Sequence, residues 1–165
     1  LKITGEPDEY RGMGQTVYVQ GNPQDTYILS GWAKGYPVNS TFHTSGSGDN
    51  LTYNAQFEIA ARVTYTKTDA DGNTSTVTQY KESAKFNTTI TDWQCSSTPI
   101  VLKYTDGESG CTYTPASILI MPRYNKQENY VFFDNIMLVK DAASSYTYDD
   151  EGNLLSASAN SEQKS

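Results

Sequence analysis

Few residues in this chain are equipped for catalysis. Its one histidine, His43, stands in "NSTFHTSGSGDN" (Asn39 to Asn50), and the only thiols are Cys95 and Cys111. A lone imidazole in a Ser/Thr/Gly-rich stretch offers neither a histidine-based zinc site nor a Cys-His nucleophile pair. Glycoside cleavage needs two carboxyl groups facing each other across roughly 5–10 Å, and Glu58, Asp92, Glu108 and Asp134 form no pair that stands out in the sequence. There is no G-x-x-x-x-G-K phosphate loop. "DADGN" (Asp69 to Asn73) begins like a calcium loop, but Gly72 occupies the fourth position instead of the sixth and Tyr80 stands where the closing glutamate belongs. Asp-Gly is a hairpin-turn signal, and the stretch is read as a turn. The chain is expected not to be an enzyme.

A second chemistry suits the residues better. Sugar recognition needs an aromatic ring to stack on the C–H face of a pyranose and polar groups to bond its hydroxyls. In "DTYILSGWAKGYPV" (Asp25 to Val38), strand alternation puts Ile28, Ser30, Trp32 and Lys34 on one face and Tyr27, Leu29 and Gly31 on the other. Trp32 is therefore the candidate stacking ring with Lys34 beside it. Glu58, Arg62 and Arg123, each out of phase with its strand's apolar residues, are the candidate polar companions. A strand tryptophan also packs into sandwich cores, so both readings stay open at Trp32, while Trp93 is expected to be a core plug. Tyr36, Tyr53, Tyr113 and Tyr130, at loops or strand ends, offer a loop-built alternative.

The elements that must position these groups are strands. "AQFEIAARVTYT" carries Phe57, Ile59, Ala61, Val63 and Tyr65 inward and Gln56, Glu58, Arg62 and Thr64 outward. The turn at Asp69 to Asn73 joins it to a run from Ser75 to Phe86. Further strands are read at Gly14 to Gly21, Ile90 to Tyr104, Ser117 to Tyr124 and Asn129 to Asp141, with Pro122 favouring an edge or a bulge. At least seven short strands with turns between them and no helix period predict an all-β antiparallel β-sandwich. Cys95 and Cys111 flank a strand–turn segment, which leaves one bridge or two free thiols open.

Composition narrows the partners. With 12 basic and 19 acidic residues among 165, the formal charge is −7, which repels phosphate backbones and anionic headgroups. Nucleic acid and membrane insertion are therefore excluded, and no apolar run approaches the roughly 20 residues that span a bilayer. A monomer is expected.

Two stretches carry resemblances. "DTYILSGWAKG" with "VFFDNIMLVKD" resembles a first-half strand and the closing strand of jelly-roll carbohydrate-binding modules, with their "Y-x-L-S-x-W-x-K" and "F-D-N-I-x-L" patterns. "SYTYDDEGNLLSA" (Ser145 to Ala157) resembles the opening of a YD repeat of RHS-type proteins, Tyr148, Asp149, Gly152, Asn153 and Leu154 matching. The resemblance implies a jelly-roll module at 1–141, its first strand expected before Leu1, then a linker and the start of a YD-repeat hairpin at 142–165. It further implies a glycan-binding module of a large secreted or cell-surface bacterial protein, in contact with the YD repeats that follow. The competing reading is a structural cap or spacer for the YD-repeat shell that binds nothing small. In the jelly-roll family an aspartate matching Asp134 helps hold a structural calcium ion; its N-terminal partner would have to come from Glu6, Asp8 or Glu9. No other cofactor is implied. One hairpin unit cannot bury its own apolar face, so the tail is expected either to borrow a sandwich edge or to be poorly ordered.

Overall fold

The computed structural model describes residues 1–7, 9–20, 22–35, 44–45, 52–53, 55–140, 145–148 and 154–158. His43, Tyr36, Asp8 and most of the 39–50 stretch lie outside the described residues. Thirteen strands are described: β1 (Lys2–Thr4), β2 (Gln15–Tyr18), β3 (Thr26–Gly35), β4 (Thr44–Ser45), β5 (Thr52–Tyr53), β6 (Gln56–Thr68), β7 (Thr74–Tyr80), β8 (Ala84–Lys85), β9 (Gln94–Val101), β10 (Thr112–Asn125), β11 (Tyr130–Lys140), β12 (Ser145–Tyr148) and β13 (Leu154–Ser158).

Nine of them build an antiparallel jelly-roll sandwich. One sheet has four strands in the order β1-β11-β3-β9; the other has five, β2-β10-β6-β7 with β8 continuing alongside β6. Alternation explains the layering. In β6 the inward set Phe57, Ile59, Ala61, Val63 and Tyr65 is buried, and in β3 Leu29 and Ala33 face it from the other sheet. Phe57 centres an aromatic cluster, its ring centroid 5.1 Å from Phe86 and 5.7 Å from both Tyr124 and Phe133. Each such side chain stabilises the fold by roughly 1.5–3 kcal/mol when fully buried.

Local chemistry sets the hairpin that matters most. The Asp69 carboxylate accepts the amides of Asp71 and Asn73 and the Asn73 side-chain amide, while Gly72 takes φ of +84°. That carboxylate is committed to the turn, which starts β7 at Thr74 opposite Thr68.

Two sequence expectations are corrected here. Pro122 lies in β10, an interior strand, instead of at a sheet edge. It is tolerated because its carbonyl accepts the amide of Met13, so the side lacking an N–H faces the segment before β2 and not the β6 ladder. The bulge in β10 comes earlier, between Pro115 and Ser117. The tail does not add to a sandwich edge: β12 and β13 pair with each other as a separate two-stranded sheet.

Candidate functional site

The five proposed glycan contacts do not form one site. Trp32 and Lys34 point outward from the four-stranded sheet, whereas Glu58, Arg62 and Arg123 point outward from the five-stranded one, on the opposite side of the sandwich. Both groups escape the core as alternation requires, but they cannot share a ligand.

On the four-stranded face Trp32 is 41% exposed, set between Asp134 on β11 and Cys95 on β9. Trp93 is also at the surface, 39% exposed, so it is no core plug. The Lys34 ammonium lies 5.0 Å from the Trp93 ring centre and 5.8 Å from that of Phe132, and Lys2 lies 4.1 Å from that of Tyr130. Cation–π contacts thus occupy much of this face. Asp134 is exposed, and its carboxylate accepts the amide of Asn135, which holds φ of +46° where β11 shifts register between Asp134 and Met137. The Asp-Asn pair therefore shapes a bulge. Among the described residues no three His, Cys, Asp or Glu side chains converge, and the cross-strand neighbour of Asp134 is Trp32. Cys95 and Cys111 are both free thiols.

The five-stranded face carries the groove. Two adjoining cavities of about 400 and 380 Å³ share Tyr10, Tyr80 and Arg123 in their walls, within the range of small-ligand sites. Met121, Leu119 and Asn125 line the first; Gln56, Lys81 and Ser83 line the second. Tyr10 is 65% exposed and Tyr80 is 55% exposed, so two phenol rings stand at its margins.

Each wall has a structural cause. The pairing that begins at the Asp69 turn runs six residues back along β6 and six forward along β7, bringing Arg62 opposite Tyr80. The guanidinium carbons of Arg62 and Arg123 then lie 5.8 Å and 5.4 Å from the Tyr80 ring centre. Tyr10 is held by its neighbours: the Arg11 amide donates to Asn125 Oδ1 at 2.8 Å, the Tyr124 amide to the Arg11 carbonyl and the Lys126 amide to the Glu9 carbonyl. Lys126, at φ of +52°, brings its ammonium 5.3 Å from the Tyr10 ring centre.

The floor is polar and ordered. Arg123 Nη2 bonds Glu58 Oε1, a carboxylate that is 5% exposed, and Asn125 Nδ2 donates to Gln56 Oε1 at 2.6 Å. Lys81 donates to Gln79 Oε1 and to the Lys103 carbonyl, and burial lowers its pKa, partly opposed by Asp106. Asn125 is buried with both ends of its amide bonded, so it braces the floor, and the Arg123 guanidinium and the Gln56 amide are the groups that line the groove between two rings. Glu58, Arg62 and Arg123 of this groove are candidates the sequence offers; Tyr10, Tyr80, Gln56 and Asn125 are not among them. Tyr80 was within reach, by counting from the Asp69 turn; Tyr10 lies outside any strand and had no local signal.

No protein-family model and no curated protein matches the chain. Solved structures do. One is "Family 16 Carbohydrate Binding Module-2", 21% identical over 84% of this chain and 74% of that one, TM-score 0.36. Another is a family 61 carbohydrate-binding module in complex with β-1,4-galactotriose, 14% identical over 81% of this chain and 66% of that one, TM-score 0.27. Both likenesses are weak, and nothing about this site rests on them.

Proposed function

We propose that this chain is a non-catalytic module that binds a glycan across the outer face of its five-stranded sheet. The observation that carries the reading is the groove whose margins are the exposed rings of Tyr10 and Tyr80 and whose floor holds Arg123, Gln56 and Asn125. Rings supply stacking for the apolar face of a sugar, and the bonded floor supplies oriented donors and acceptors at low ordering cost. The parent would be a secreted or cell-surface protein in which the Y-D-x-x-G-N-L sequence opens a series of YD repeats. Isothermal titration against a panel of soluble polysaccharides tests the site. Tyr10→Ala and Tyr80→Ala each reduce affinity at least tenfold, and Trp32→Ala leaves it unchanged; loss with Trp32→Ala alone would move the site to the other face.

One observation favours a second reading for that other face. Met137 and Val139 on β11 are exposed on the outer side of the four-stranded sheet near the end of that strand, and Val101 is exposed on β9 across the intervening β3. An apolar surface there suits packing against a following part of the parent protein, as a cap or spacer would require.

A further inference from the structure

The charge on the groove runs against the charge of the chain. The whole sequence is −7, yet neither cavity has an Asp or Glu in its wall, while Arg123 lines both and Lys81 lines one. Arg62 adjoins them through the Tyr80 ring. The single carboxylate beneath, Glu58, is bonded to Arg123 Nη2, leaving Arg123 Nε without an acceptor. Arg62 Nε is likewise buried with no acceptor, and among the described residues Arg62 has no ion pair. Lys81 bonds a neutral amide and a backbone carbonyl, and its nearby carboxylate, Asp106, lies with Glu82 in the wall of a third cavity that Tyr80 and Lys81 also line. Arg62 is thus a partly buried guanidinium with no anionic partner among the described residues, and such a group favours an incoming anion.

Resting on the glycan reading above, we propose that the groove selects sugars that carry an acidic group, which sits before Arg123 and Lys81 with Arg62 reinforcing the field. A planar carboxylate matches a guanidinium fork in two parallel bonds, which makes uronates the best-fitting class; a sulfate ester would exploit the same positive field. Electrostatic attraction in a partly enclosed groove weakens as salt shortens the screening length from about 30 Å at 0.01 M to about 8 Å at 0.15 M.

The test is titration of the full chain with polygalacturonate and alginate (carboxylate), a sulfated galactan (sulfate) and a neutral galactan and glucan of similar length, each at low and physiological salt. The expected result is at least tenfold tighter binding of an acidic polymer than of its neutral counterpart, a preference that shrinks with salt and falls several-fold in Arg62→Gln and Lys81→Met. Thermal melts of both variants separate a lost contact from a lost fold, and the acidic and neutral polymers are compared within each variant. Whichever acidic class binds names the source of the anion. Equal binding of neutral and acidic polymers, abolished by Tyr80→Ala, overturns the acidic preference and leaves the glycan reading standing. Binding of no polymer at all overturns both.

Discussion

Two buried tyrosines test how single polar atoms are handled inside this sandwich. The Tyr124 hydroxyl donates to the Glu128 carbonyl, whereas the Tyr65 hydroxyl is buried with no partner. Tyr124→Phe should cost about 1 kcal/mol, while Tyr65→Phe should be neutral or stabilise by up to about 1 kcal/mol, since removing an unsatisfied group removes its desolvation penalty; urea unfolding of both variants checks the pair. Burial pushes the Tyr65 phenol well above its ordinary range and the Tyr124 phenol up to about 12. A raised acid keeps its proton in the folded state after the unfolded chain has lost it, so stability is intact below about pH 10 and falls as pH rises towards 12. Alkaline titration followed by circular dichroism should show this loss, and Tyr65→Phe should blunt it. In the groove, Arg123→Ala strands the buried Glu58 carboxylate and should cost about 3 kcal/mol, of which Glu58→Gln in the same chain recovers part.

At the scale of elements, the β6–β7 hairpin was legible because its information is local. Asp69, Gly72 and the alternation on either side specify turn, register and outward residues together, which is why the Arg62–Tyr80 pairing follows by counting. Bonds from Asn73 and Asp71 hold the Asp69 carboxyl below its usual range, with the Asn73 side chain the largest cause. A depressed acid adds stability above its unfolded pKa of about 3.9 and loses it as pH falls further, so Asp69→Ala should flatten the acid limb of the stability profile. The β3 strand obeys a different constraint. A Cβ on Gly31 would fall 2.5 Å from Ile59 Cδ1 of the facing sheet, and Gly31→Ala should destabilise by about 1–3 kcal/mol through overpacking, measurable as a lowered melting temperature. Nothing in "LSGWAK" announces that approach, because Ile59 is nearly thirty residues away in sequence.

For the whole molecule, the decisive fact is that the outward residues fall on two opposite faces. Both tryptophans lie on the four-stranded side and the groove on the five-stranded side. Acrylamide should therefore quench both tryptophans, and a glycan filling the groove should leave their emission unchanged; protection of the tryptophans by a ligand would place it on the other face. Alternation and turn residues by themselves determined the all-β class, the inward and outward set of each long strand and the β6–β7 register, because these depend on neighbours within a few residues. Tertiary structure alone decided which sheet each strand joins. Glu58 and Trp32 read alike as outward polar or aromatic positions, since period-two alternation reports only core against solvent and is the same for either sheet. The pairing of β10 with β6, which sets Arg123 beside Glu58 after the Pro115/Ser117 bulge, and the bonds that seat Tyr10 against Asn125 join residues 65 and 114 positions apart. Contacts at that separation are chosen by the packing of the whole sandwich, where no local pattern records them.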